Sequence, residues 1–257
     1  MPLVAAAQDD AQQHAQAQLI SATTGVGKLP VLDMGLDIAL NDGFYTYWKM
    51  PGDNGLAPTF DWSGSTNVKD VAVSWPTPKR ITLMDMNSFG YEQGVLFPLA
   101  VTPQEPGKAV TLKLKLTLMV CHDICIPQET TIERTFAEGD SVKSDSYTKI
   151  EEAKKRLPAR DNTARLGIDT TVLGKDAVVV TAFAKQGFGE NADLIIETPN
   201  SMLTAKPEIT PPAAKGDKYV MKVKGPDKTD LTKELFGKTV QILLINGEDA
   251  VEKTVTF

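Results

Sequence analysis

Basic charge, histidine and long apolar runs are all scarce in this sequence, and each scarcity removes a class of function. Lysine and arginine number 27 against 33 aspartates and glutamates, a formal net charge of −6 with a pI near 5.1. No basic face is left to neutralise phosphates, and no Lys/Arg run is interleaved with aromatics, so nucleic acid is excluded as a partner. No stretch approaches the roughly 20 consecutive apolar residues of a membrane-spanning helix. The two histidines, His14 and His122, stand far apart. With no G-x-S-x-G, no P-loop and no H-E-x-x-H, hydrolase and kinase chemistry have no support, and no cofactor is expected.

What is present is strand. The chain has 257 residues, 42% of them hydrophobic, enough for one large or two ordinary domains. Period-2 alternation is clearest in Thr111-Leu-Lys-Leu-Lys-Leu-Thr-Leu-Met-Val120, where even positions are apolar and odd ones mostly polar. Further strands are expected at 18–21, 31–40, 44–48, 71–75, 95–102 and 130–136, separated by Gly, Pro, Asn and Asp clusters. This spacing predicts an all-β sandwich over 16–143.

Residues 144–158 read differently, with a polar start, acidic residues before basic ones and Pro158 as a stop, which predicts a helical linker. Strands resume at 177–183, 194–198, 219–223, 240–245 and 251–257, with Asn246-Gly247 as a hairpin signal, so 159–257 is expected to be a second, smaller β-sandwich. At the other end, Met1-Pro-Leu-Val-Ala-Ala-Ala-Gln8 has the small-residue character of a signal-peptide cleavage region without its charged and long apolar parts. Residues 1–15 are therefore read as a leader, expected to be disordered, with no role for His14.

Cys121-His-Asp-Ile-Cys125 follows the alternating strand directly and leads into the next one through Ile126-Pro127, which places it at the tip of a hairpin. If Cys121 faces Cys125, then Lys113 faces Glu133 and Leu114 faces Ile132, an opposite-charge pair on one face and an apolar pair on the other. Both cysteines share the parity of Lys113, Lys115 and Thr117, so both sulfurs are expected near the surface. Residues opposed in this way are within disulfide range. So short a loop would stabilise the fold by only about 2 kcal/mol.

Three readings of the pair stay open on spacing alone. One is a passive disulfide in an exported protein, and the second is exchange through a mixed disulfide. The third is metal binding by Cys121, His122 and Cys125, in a spacing similar to copper-binding proteins of the SCO type. Those carry a thioredoxin-like fold, and there is no βαβ pattern around these cysteines. His122 alone reads more readily as a solvated turn residue than as a ligand. Asp123, beside the pair, would disfavour a thiolate.

Taken together, 42–55 (Asp-Gly-Phe-Tyr-Thr-Tyr-Trp-Lys-Met-Pro-Gly-Asp-Asn-Gly), Pro58-Thr-Phe-Asp-Trp-Ser-Gly-Ser65, Gly90-Tyr-Glu, Phe97-Pro and Val120-Cys-His-Asp-Ile-Cys-Ile-Pro127 resemble the N-terminal periplasmic domain of the DsbD family, most of all its ScsB branch. The similarity covers about residues 16–140. It implies an immunoglobulin-like domain, attached in its parent protein to the bacterial inner membrane, whose cysteines receive electrons from a thioredoxin-like donor domain by way of a membrane domain and reduce periplasmic partners. Cys125 would join the partner in the mixed disulfide and Cys121 would resolve it. The resemblance also implies a shielding aromatic in a cap loop, carried over to Phe89 although Met84-Asp-Met-Asn87 before it match poorly. Tyr45 and Tyr47 correspond to family tyrosines that could hydrogen-bond a sulfur, or could simply pack on one strand face.

Overall fold

The computed structural model describes residues 14–200, 202–213 and 217–257. Two compact units interleave along the chain. Of the described residues, the first takes in those up to Tyr47 with Ala57–Ser74 and Tyr91–Glu151, the second Trp48–Leu56, Trp75–Gly90 and those from Glu152 to Phe257. This differs from the contiguous division expected from the sequence in two excursions of the first half, 48–56 and 75–90, that belong with the second unit. Residues 1–13 of the expected leader lie outside the described residues, whereas Ala15 already opens the first strand.

The first unit is an immunoglobulin-like β-sandwich. One sheet holds β1 (Ala15–Ser21), β2 (Leu32–Leu40), β5 (Val68–Val73) and β8 (Gly94–Pro103) in the order β1-β2-β8-β5. The other is built on β9 (Val110–Cys121), flanked by β10 (Cys125–Phe136) and by the start of β3 (Tyr45–Gly52), with β4 (Thr59–Asp61) also paired to β9. The alternation read in the sequence becomes the inner face of β9: Val110, Leu112, Leu114, Leu116, Leu118 and Val120 are all buried, as are Leu36 and Ile38 of β2 and Phe97 and Leu99 of β8. Each such side chain contributes about 1.5–3 kcal/mol by leaving water.

Helix α1 (Tyr147–Lys155) forms within the expected span. Ser144 starts it, its carbonyl accepting from the Tyr147 amide and its hydroxyl from the Ser146 amide, and Pro158 follows three residues after its end. The helix docks through Ile150, which is fully buried against Ile20 and Ala22. Gly35 makes that approach possible, because a Cβ there would sit 3.0 Å from Leu96, 3.2 Å from Ile20 and 3.4 Å from Ile150.

In the second unit, β11 (Leu166–Leu173), β12 (Ala177–Ala184), β14 (Glu208–Thr210) and β15 (Lys218–Lys224) form one sheet in the order β11-β12-β15-β14, and β13 (Asp193–Glu197), β16 (Thr239–Asn246) and β17 (Asp249–Thr256) form another. Their apolar faces share one core with the short helix α2 (Leu231–Leu235), which inserts Leu231 and Leu235. The β16–β17 hairpin turns at Gly247 as the Asn-Gly signal indicated.

A hairpin not read from the sequence, β6 (Lys79–Leu83) and β7 (Met86–Glu92), turns at Met84 and Asp85, both with positive φ. Its residue Arg80 donates to both carboxylate oxygens of Asp193 at 2.8 Å, and the pair is almost wholly buried. Another Arg80 nitrogen donates to the Thr204 carbonyl, and the Thr204 hydroxyl donates to Asp53. These contacts tie both excursions into the second unit.

Candidate functional site

Strands β9 and β10 pair in the register derived from the sequence, with Cys125 opposite Cys121, Glu133 opposite Lys113 and Ile132 opposite Leu114. The Lys113 ammonium lies 3.4 Å from the Glu133 carboxylate. The two cysteines are joined as a disulfide with Cα atoms 4.1 Å apart, and the chain between them closes tightly, the His122 amide donating to the Ile124 carbonyl.

The expectation that both sulfurs lie near the surface is half wrong. Cys125 is exposed, but Cys121 is completely buried. The parity argument describes the isolated hairpin and leaves out the third strand. β3 pairs with β9 so that Tyr45 stands opposite Cys121, and the buried side chains of Tyr45 and Tyr47 pack edge to face with centroids 5.6 Å apart. The polar face of β9 is therefore open at Lys113 and Lys115 and covered at Cys121.

Tyr47 touches both halves of the disulfide, its hydroxyl 3.2 Å from Cys121 Sγ and 3.4 Å from Cys125 Sγ. Burial raises the pKa of this phenol, and neighbouring Tyr45 raises it further through a hydrogen bond and its own charge. Tyr47 thus keeps its proton over the physiological range and holds an O–H donor where a thiolate forms when the disulfide opens.

His122 is half exposed, its Nδ1 3.0 Å from the Asp123 carboxylate. Its ring rests on the β2–β3 turn: a Cβ on Gly43, whose φ is +80°, would stand 2.8 Å from the imidazole, and the Phe44 ring lies 5.3 Å away. Among the described residues no group of three or more His, Cys, Asp or Glu side chains is arranged to hold a metal ion. Ile124, at the tip, is 69% exposed.

Phe89 is placed differently from the cap-loop residue expected. It lies within strand β7, fully buried in the second unit, with the Arg80 guanidinium 4.8 Å from its ring centre. Three residues that the sequence reading left aside do belong to the cysteine hairpin's surroundings. His14 stacks on Phe44 with centroids 4.3 Å apart, and Gln128 accepts from the amides of His14 and Ala15 while donating to the Ala15 carbonyl. The sequence held no signal for them beyond the Gly43-Phe44 turn, because residue 14 fell in the apparent leader.

Residues 12–137 match the family described as thiol:disulfide interchange protein DsbD, N-terminal. Among solved structures, the chain is similar to the N-terminal periplasmic domain of ScsB from Proteus mirabilis, with a TM-score of 0.72 at 20% identity, covering 98% of this chain and 96% of that one. No curated protein sequence matches.

Proposed function

We propose that this chain, whose residues 12–137 match the family of DsbD N-terminal domains, is a periplasmic dithiol carrier that works by thiol–disulfide interchange, reduced by a thioredoxin-like donor domain and reducing disulfides of periplasmic partner proteins. The observation that carries the reading is the asymmetry of the pair: Cys125 is an exposed residue, and Cys121 is wholly buried beneath the hydroxyl of Tyr47. A structural staple has no use for that difference, whereas exchange needs one attackable sulfur and one that resolves.

In the reducing direction, the Cys125 thiolate attacks a partner disulfide. One partner sulfur leaves as a thiolate and takes up a proton, and a Cys125–partner mixed disulfide remains. The Cys121 thiolate then attacks Cys125 Sγ, expelling the second partner thiol and leaving the Cys121–Cys125 disulfide. Recharging runs in reverse, as the donor's thiolate attacks Cys125 and Cys121 departs as a thiolate. The Tyr47 O–H, in reach of both sulfurs, stabilises whichever carries the charge. Tyr45 holds Tyr47 in place, and His122 acts through the loop it anchors. Electrons reach the donor through the membrane domain of the parent protein. Phe89 has no role in this reading.

Trapping tests the assignment. Cys121→Ser should accumulate a mixed disulfide through Cys125 with a disulfide-bearing partner, and Cys125→Ser should form none. Partner reduction at the normal rate by Cys125→Ser would overturn the proposal.

A further inference from the structure

Cys121 and Cys125 are joined by a second, non-covalent route that runs outside the disulfide. His122, next to Cys121, lays its imidazole on Gly43 and against Phe44. Phe44 stacks on His14 almost parallel, at 10° between ring planes. The backbone of His14 and Ala15 is held in turn by the Gln128 amide, through three hydrogen bonds at 3.2, 3.2 and 2.6 Å. Gln128 lies on β10, three residues beyond Cys125. The path from Cys121 through His122, Phe44, His14 and Gln128 to Cys125 is closed.

We infer that this His14–Phe44 clasp is a positioning device that sets the reduction potential of the cysteine pair. The inference rests on the exchange function proposed above and extends it to how that site is tuned. When the disulfide is reduced, the covalent tie across the hairpin tip is lost, and the loop 122–124 would be free to spread. The clasp holds both flanks of that loop from outside, His122 on one side and the Gln128 strand on the other. The two thiols therefore remain opposed, each at a high effective concentration for the other. Pre-organisation of this kind lowers the cost of closing the disulfide, favours the oxidised state and makes the dithiol a stronger reductant. None of the clasp residues touches a sulfur in the contacts described, so their action is through the loop.

The test is equilibrium with glutathione, in which the dithiol and oxidised glutathione give the disulfide and two reduced glutathiones. His14→Ala and Phe44→Ala should each lower the equilibrium constant for disulfide formation about three- to tenfold, tenfold being about 30 mV for a two-electron couple. His14→Phe, which keeps a stacking ring, should restore the wild-type value. Thr135→Ala, at an exposed site on β10 away from the tip, should leave it unchanged. If Phe44→Ala fails to fold, His14→Ala decides alone. The inference is overturned if folded His14→Ala stays within twofold of wild type, or if His14→Phe shifts the constant as far as His14→Ala. In both cases the exchange function stands, because that fails only if the wild-type couple does not equilibrate with glutathione or does not reduce a partner.

Discussion

The hydroxyl of Tyr47 lies 3.2 Å from the sulfur of Cys121, the cysteine no solvent reaches. A buried sulfur that must leave as a thiolate has no water to stabilise it, so this single donor carries a share of the barrier. A hydrogen bond to a charged group is worth about 1.5–3 kcal/mol. Tyr47→Phe is expected to slow reduction of the disulfide by a donor thiol at least about tenfold while leaving the oxidised fold intact, as measured by stopped-flow quenching of tryptophan fluorescence or by thiol trapping.

The same burial fixes a pH dependence of stability. The native state holds the Tyr47 proton above the ordinary phenol range, and burial does the same for Tyr91. The unfolded chain releases those protons near pH 10. The native state then binds more protons than the unfolded one, so stability falls as pH rises above about 10. Urea midpoints measured from pH 8 to 11 should decline at the upper end, and Tyr47→Phe should flatten part of that decline.

Reduction should cost the fold little. Closing a five-residue loop stabilises by only about 2 kcal/mol on the chain-entropy model. The reduced protein should stay folded and melt roughly 4–8 °C lower in calorimetry. A collapse of the first unit on reduction would mark the bond as a staple.

Two neighbours on β9 should respond very differently to alanine. Leu114 is fully buried, and Leu114→Ala should lose about 2–5 kcal/mol through transfer and cavity formation. The Lys113 ammonium makes an exposed pair with Glu133, so Lys113→Ala should lose less than about 1 kcal/mol. Denaturant titration distinguishes the two directly.

In the second unit, Arg80→Ala should destabilise by about 3–5 kcal/mol, because it strands the buried Asp193 carboxylate without its partner. Replacing Arg80 and Asp193 together by apolar residues should recover much of that loss, and a double-mutant cycle on unfolding free energies would show it.

The sequence was most legible where a pattern is local. The alternation of 111–120, the register across the cysteines and the Asn246-Gly247 turn all rest on neighbours within a hairpin, and the all-β class follows from them. Burial of Cys121 was not legible, because its cover comes from Tyr45 and Tyr47, more than seventy residues earlier. The β6–β7 hairpin escaped because its turn is Met84-Asp85, left-handed at both positions without the glycine or asparagine that usually announces such a bend. His14 was hidden by composition, since the alanines and glutamines around it look like a tail.

Arg80 and Asp193 are separated by 113 residues of chain. At synthesis rates of about 5–20 residues per second, the guanidinium emerges roughly 6–23 seconds before the carboxylate that neutralises it exists. The β6–β7 hairpin is thus made early and completed late. A protein cut at the helix between its halves would never receive the missing partner, and the natural seam for dividing this molecule lies nowhere along its primary chain.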